Sequence, residues 1–577
     1  MSDNGYPTRL ALDPADRRTS ADEQKLLDMI DDLYDEGKRC REKWAPPKDL
    51  ARDLDLFRGD YGPAKKHFAA NFIEAFVDRM VAQLTDSRPI NRIESRKADL
   101  HEVAEVLGKV ADVVWVDAAM QRQAHKMAHL AATMRSAGIY TGYDPLTDEV
   151  ILEPLRIDQV TFDPRVQEAA RVGRAADYVI IRRVMSTHEL AARFPGRGAA
   201  VKPDARLSNI QVDDEKGTAS RSVWTPLGNI FRSSSDKAAL PRAEVFEVYL
   251  RDWQKDAGGR AMFPNGRLVI RTKDLVLWDG PNYFWDGDWP IDWYDWMVDP
   301  EHPFGRNEPS RLRHLQLPFN QLMDGLVRNQ LISNIFTITA DFDAFAPEMW
   351  KKLQNIEDTL VLRKQNRNAT LTTTPPPTFG ADKLNIARQM FTFAQLITGV
   401  TDVTLGENPG SLQSGQAIEG LVEGANLMTR SRASRLEDLY ERVGQRLIAR
   451  IFQFFDSDRI VGIVGDTKEA VAYAKHRQEF FFEMVNGKVT ETKPEQRRRA
   501  FRDFRFAVSP GSSAPGTRVN RARNMMELHY LGLASGRDVL AAADFPLPDE
   551  MLTRAQAERA KLAAAGIPPA QPPRRNP

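Results

Sequence analysis

A single cysteine, Cys40, among 577 residues excludes an internal disulfide framework and any zinc site built from several thiolates. That scarcity fits folding in a reducing compartment. Charge of either sign is equally lacking in excess: 80 Lys and Arg balance 80 Asp and Glu. The sum therefore gives no sign of a clamping grip on nucleic acid, whose affinity rests largely on neutralised phosphates. Long apolar runs are missing as well, and MSDNGYPTRLALD has neither the basic nor the apolar region of a secretory signal. A membrane-spanning or secreted chain is not expected. What is present suits a globular protein long enough for several compact units with sizeable cores.

Residues 20–135 read as helices. LLDMIDDLYDEG, HFAANFIEAFVDRMVAQL and one long stretch, HEVAEVLGKVADVVWVDAAMQRQAHKMAHLAATMRSAG, each place apolar residues three and four apart. From about 138 the pattern shifts to short β-branched stretches such as EVILEPL, DYVIIRRVM and AEVFEVYLRDW, with a polar excursion over 200–240 expected to be mobile. Five of the ten tryptophans, Trp278, Trp285, Trp289, Trp293 and Trp296, crowd together with Asp286, Asp288, Asp292 and Asp295 between them. This reads as an aromatic packing wall with its acids turned to water.

Leu312, Leu315, Phe319, Leu322 and Leu326 then form a helical seam, and Gln316, Asn320, Asp324 and Arg328 recur every fourth residue beside it. At about 1.5 Å per residue such a helix runs roughly 40 Å, with Pro318 expected to kink or interrupt it near residue 317. FTITADFDAF, TLVLRKQ and ATLTTT over 337–380 are strand-like. The following helix carries Leu384, Ile386, Met390, Phe391, Ala394, Leu396 and Ile397. A helix out, a small β-containing knob and a helix back is the simplest geometry. A further helix over 415–456 carries Leu436, Tyr440, Val443, Leu447, Ile451 and Phe454 on one seam. Arg435, Arg442, Arg446 and Arg450 flank it, either pairing with acids of a neighbouring subunit or forming a solvated face. Gly415, Gly420 and Gly424 each cost about 1 kcal/mol in a helix interior, so its first turns should bend easily. Residues 457–510 read as mixed strands with a basic turn, RRRAFRDFRF, and 518–565 as helix.

Catalytic patterns fail one by one. Gly410 and Gly415 have P-loop spacing, but Gln416 and Ala417 stand where the phosphate-reaching lysine and the magnesium-binding hydroxyl belong. His125 and His129 are four apart on a helix, yet Lys126 replaces the glutamate of a zinc-protease helix and no third ligand is suitably spaced. Asp341 and Asp343 offer carboxylates for magnesium, though acids close in sequence are far more often solvated or capping. Ser414 lacks a histidine partner and reads as a helix N-cap. No catalytic residue, cofactor or metal is expected. The competing class, a DNA-packaging nuclease or motor enzyme, is disfavoured by the same absences.

Three stretches point to a family. HPFGRNEPSRLRHLQLPFNQLMDGLVRNQLI, a β-containing interval, and ITGVTDVTLGENPGSLQSGQAIEGLVEGA together resemble the portal protein of tailed bacteriophages. VTFDPRVQEAARVGRAADYVIIRRVMSTHELAARFPG resembles the upstream region of short-tailed-phage portals. Asn307 departs from that pattern, which leads one to expect a glycine or small residue. The resemblance implies a mainly helical α+β portal fold of wing, stem, clip and crown, assembling as a ring, typically a dodecamer. It places a disordered N-terminus at 1–19, a helical wing part at 20–137, a β-rich wing at 138–307 and a stem helix at 308–336. The clip follows at 337–380, the second stem helix at 381–398, a channel loop at 399–414 and a long wing helix at 415–456. Wing completion at 457–517, a crown at 518–565 and a disordered tail at 566–577 end the chain.

It further implies a structural, non-enzymatic DNA channel at one capsid vertex of the virion, assembled in the host cytoplasm. Genomic double-stranded DNA would be packaged through it and later ejected. The implied partners are copies of the same chain, the terminase large subunit, head-completion or tail adaptor proteins, and the major capsid and scaffolding proteins, with no membrane. Thr401, Asp402, Thr404, Glu407, Asn408, Ser411 and Gln413 would line the channel loop. Gln316, Asn320, Asp324 and Arg328 would face the stem lumen or a neighbouring subunit. A loop without Lys or Arg suits sliding DNA better than phosphate clamping does.

Overall fold

Among the described residues helices come first, and two larger antiparallel sheets follow. The computed structural model describes residues 20–60, 70–85, 91–145, 147–204, 241–251, 255, 262–333, 337–341, 368, 371–374, 381–400, 427–464, 467–485, 488–508, 525–531, 536 and 539. In chain order these form α1 (Ser20–Trp44), α2 (Pro47–Phe57), α3 (Phe72–Thr85), β1 (Asn91–Ser95), α4 (His101–Asp117), α5 (Met120–Met134), β2 (Ser136–Asp144), β3 (Glu149–Arg156) and β4 (Val160–Phe162). Then come α6 (Val172–Ala175), β5 (Tyr178–Ser186), α7 (Thr187–Arg193), β6 (Arg242–Leu250), β7 (Arg267–Arg271), β8 (Val276–Pro281) and β9 (Ile291–Asp295). The remainder is α8 (Glu308–Ser333), β10 (Thr337–Ala340), β11 (Leu371–Thr374), α9 (Ala381–Thr398), α10 (Leu427–Phe454), α11 (Ser457–Val464), α12 (Thr467–Phe481), β12 (Phe482–Val485), β13 (Lys488–Glu491), α13 (Pro494–Arg502) and β14 (Phe504–Val508). The class is mixed α+β, as the sequence suggests.

Two compact units divide the chain. One comprises Met1–Asp53, Val77–Asn307 and Asp402–Pro577, the other Leu54–Phe76 and Glu308–Thr401. In the first, a three-stranded sheet of order β3-β2-β9 and a five-stranded sheet of order β4-β5-β6-β7-β8 supply the framework. Leu26, Leu27 and Ile30 of α1 pack on Tyr178, Ile180, Val248 and Val269 of the larger sheet, because only one stripe of this otherwise polar helix is apolar. β2 pairs with β9 in antiparallel register, Ser136 opposite Asp295 and Ile139 opposite Asp292.

Several expectations change. The single helix read from His101 breaks at Ala119, whose φ of 50° is left-handed, giving α4 and α5. The two halves must bury against different partners: α4 contacts β1, α10 and α12, whereas α5 contacts β2 and β3. β1, inside the stretch read as all-helical, pairs with β14 more than 400 residues away, so nothing local announces it. RRRAF is not a turn. Arg497 and Phe501 are buried on α13, and most of the described residues between 457 and 502 are helical. Pro318 lies within α8, which runs unbroken from Glu308 to Ser333. His314, whose carbonyl loses its usual donor, is exposed, so water can satisfy it.

Residues 205–240, the body of the expected mobile excursion, lie outside the described residues, as do 1–19, 401–426 and 540–577. The described residues of 20–137, 381–398 and 427–454 are mainly helical, and those of 138–307 hold most of the strands.

Candidate functional site

In the second unit, α8 and α9 pack side by side with opposite directions. Arg311, in the first turn of α8, donates from Nη2 to the Ile397 carbonyl, 3.0 Å away at the end of α9. Carbonyls in that last turn lack intrahelical donors and carry the negative end of the helix dipole, so a guanidinium suits the position. Gly399 follows with φ of 76° and donates its N–H to Gln395 O at 2.8 Å, a left-handed helix stop. Between the helices, β10 and β11 pair antiparallel, Thr337 opposite Thr374 and Ala340 opposite Leu371. Helix out, β ribbon and helix back is therefore the observed arrangement of the described residues 308–398.

Aromatic packing holds the base of this hairpin. Phe319 and Phe391 meet Phe72 at ring distances of 5.5 and 6.3 Å, and Phe391 tilts against Phe76 at 5.6 Å. Gln316, expected at the stem lumen or against a neighbouring subunit, is buried here among groups of its own chain. Its Nε2 donates to Ala70 O at 2.6 Å and its Oε1 accepts from Phe72 N at 3.1 Å, capping the first turn of α3. Gln316 also donates to Asn320 Oδ1 at 2.9 Å, and Asp324 pairs with Arg328 at 3.1 Å one turn on. That polar row is thus linked along its own helix. Among the described residues of the hairpin, the large apolar side chains left outside include Leu317, Val327 and Ile386, with Phe393 at 54% and Leu396 at 71% exposure.

The arginine row of α10 lies in the first unit, where its side chains meet groups of their own chain rather than forming a wholly solvated face. Arg435 donates from Nη2 to Trp296 O at 3.0 Å, and Arg442 from Nη2 to Trp293 O at 2.9 Å. Arg446 grips Asp292 through Nε at 2.6 Å and Nη2 at 3.1 Å, while Arg450 stands 3.2 Å from Asp286 and 3.5 Å over the Phe284 ring. Seven helical residues from 435 to 442 advance about 10.5 Å, and three extended residues from 296 to 293 about 10 Å. Helix and strand therefore run antiparallel in step, with arginines reading the carbonyls and carboxylates of the tryptophan segment.

The acids among the tryptophans are consequently not turned to water, contrary to expectation. Asp292 has a side chain 1% exposed, and Arg446 one 6% exposed. Burial alone would pull the Arg446 pKa down, but Asp292 and Asp288 overcome it and raise it, so the guanidinium stays charged. Asp295 is pushed up to about 6 by burial, partly offset by the Ser136 hydroxyl that donates to it at 2.6 Å. The tryptophans do form a wall: Trp289, Trp293 and Trp296 are wholly buried, and Trp285 stacks on Phe481 at 5.5 Å. Gly173 lets Arg446 reach Asp292, since a Cβ there would stand 2.2 Å from Arg446 Nη2.

Residues 335–576 match the model of the family described as phage P22-like portal protein. Over that span the chain is similar to the phage P22-like portal protein family. No curated protein matches the chain. Portal proteins are structural and non-enzymatic, and their place is the head-to-tail connector of the phage virion, as a channel for DNA. The matched span takes in the β ribbon, α9 and α10, and with them the β-containing interval and 397–425 of the resembling stretches, whereas 160–196 and 302–332 precede it.

Of the channel-loop residues, Thr401, Asp402, Thr404, Glu407, Asn408, Ser411 and Gln413 all lie outside the described residues, as do Ser414 and Asp343. His125 and His129 join α5 to α3, through Thr85 Oγ1 at 2.8 Å and Asp78 at 3.3 Å. Among the described residues no three His, Cys, Asp or Glu side chains converge as metal ligands, and no helix is long and apolar enough to cross a membrane. Asn307 is fully buried, its Nδ2 donating to Asp53 Oδ2 at 2.9 Å and Thr133 O at 2.6 Å. A glycine there would leave both acceptors without this donor. Sequence reasoning missed this bond, and missed Asp292 as the receiver of Arg446. The alternation of acids with tryptophans was the available signal.

Proposed function

We propose that this chain forms a ring, a dodecamer in the usual portal arrangement, at one vertex of the capsid, and that genomic double-stranded DNA passes along its axis during packaging and ejection. The observation that carries this reading is the α8–β10–β11–α9 hairpin, within a chain matched to the portal family, with Phe393 and Leu396 left uncovered near the end of its returning helix. Isolated exposed apolar residues are ordinary, but a row along one helix pair calls for a cover. Copies of the same hairpin supply one. The stem is then 308–336 with 381–398, and the clip at 337–380 receives the terminase large subunit and later the tail adaptor proteins. The loop 399–414 touches DNA through transient polar contacts. Major capsid and scaffolding proteins surround the wing and the 518–565 crown inside the head.

Light scattering and negative-stain imaging of the purified full chain test this. Rings are expected for the native protein, and Phe393→Asp with Leu396→Asp should yield single chains whose unfolding temperature is unchanged. Native protein that stays as single chains at every concentration, or that hydrolyses ATP alone, would overturn the reading.

A further inference from the structure

Beside the arginine row, a cleft of about 630 Å³ opens within the first unit, lined by eight arginines and four carboxylates. Each carboxylate already has an arginine. Arg174 donates to Asp288 at 2.9 Å, Arg442 bonds Asp438, Arg505 lies 3.4 Å from Glu441, and Arg450, from outside the lining, 3.2 Å from Asp286. Arg446 is engaged by Asp292 below the floor. Arg96, Arg251, Arg498 and Arg502 have no carboxylate within ion-pair distance among the described residues, so the cleft keeps an unneutralised positive charge.

The site is built rather than incidental. Arg251 is held by Trp289, its guanidinium 4.6 Å from the ring centre, and by a bond from Nη2 to Arg174 O at 3.0 Å. Arg498 donates from Nη2 to Pro264 O at 2.8 Å and lies beside Gly287. Its Nε is buried and has no acceptor. The same holds for Nη1 of buried Arg446, which lines the cleft with Asp288 and Asp286 no nearer than 3.9 and 4.0 Å. Burial, reinforced by Arg498, pulls the Arg251 pKa below the usual guanidinium value despite Asp288. Buried N–H donors without acceptors and like charges side by side are costly unless an anion completes them.

We propose that this cleft binds a phosphate group, an inference that goes beyond the ring and does not depend on it. The cations converge from α6, the end of β6, α10 and α13, and donors arriving from several directions fit a tetrahedral oxyanion of charge near −2 better than a planar carboxylate. The phosphate comes either from a free polyphosphate or from a nucleic-acid backbone.

Calorimetric titration of the full chain at low salt with sodium tripolyphosphate, a short DNA duplex and an oligo-aspartate peptide separates these cases. Saturable tripolyphosphate binding, weakened about tenfold or more in Arg498→Gln and in Arg502→Gln, is expected for a free-anion site. Binding of the duplex alone, with a salt dependence that drops by about one for each arginine removed, assigns the site to backbone phosphates. No binding of either phosphate source, equal affinity in variants whose unfolding is normal, or binding of oligo-aspartate alone would overturn the proposal.

Discussion

Replacing Arg446 with methionine isolates the lock between α10 and β9. The substitution removes two short charge-assisted bonds to Asp292 and leaves that carboxylate, 1% exposed, with Arg442 Nε at 3.7 Å as its remaining cation. Removing one partner of a buried pair costs about 3–5 kcal/mol, since the other charge stays desolvated. Arg442 moderates the loss, so about 3 kcal/mol is expected for Arg446→Met. Asp292→Asn leaves Arg446 near Asp288 and Asp286 and should cost less. The double variant should lose less than the sum of the single losses, with a coupling of about 2 kcal/mol, because both desolvated charges disappear together. Urea unfolding followed by tryptophan fluorescence reads this directly, as Trp289, Trp293 and Trp296 are buried in the segment that α10 clasps. With a slope of about 3 kcal/mol per molar, the midpoint falls by about 1 M. A loss below about 1 kcal/mol, or single losses that simply add, would refute the lock. Normal unfolding combined with failed ring assembly would return Arg446 to a contact between subunits.

His476 is buried among Phe452, Phe480, Phe481 and Phe504, and burial pulls its pKa down to about 4. Its neutral form stabilises the fold above pH 6.5, and that contribution, up to about 3 kcal/mol, disappears as pH falls from 6.5 through 4. His476→Phe should flatten the acid limb of a melting-temperature profile, and an unchanged limb would count against burial as its cause. Asp295, raised to about 6, has the opposite sign: its protonated form stabilises fully below pH 3.8 and the benefit fades as pH rises through 6. Asp295→Asn keeps an oxygen for Ser136 and should be more stable than the native protein by about 2 kcal/mol at pH 8, with the gap closing at pH 4. Gly444 on α10 faces Phe506, where an added Cβ would lie 2.2 Å from the ring. Gly444→Ala should therefore lower the melting temperature despite a helix-propensity gain of about 1 kcal/mol, because overpacking costs about 1–3 kcal/mol and this clash is severe. A rise in melting temperature would show that Phe506 can step aside.

Periodicity alone determined a good deal about this chain. The seams of α8, α9 and α10, the strand-like runs of 138–307 and the helix–ribbon–helix order around 308–398 all follow from spacings of two, three and four, because amphipathic elements write their buried face into the local sequence. The missing P-loop lysine was equally legible, being a matter of residue identity. Tertiary structure decided what identity and spacing leave open. β1 exists only because β14 lies beside it, and the helix from His101 breaks at Ala119 only because its halves cover different neighbours. A charged side chain looks the same in sequence whether it meets water, another subunit or its own chain. Asp292 and Arg446 are 154 residues apart, Gln316 and Phe72 are 244, and only the packing of α10 on β9 and of α8 on α3 brings each polar group to the partner that makes its burial tolerable.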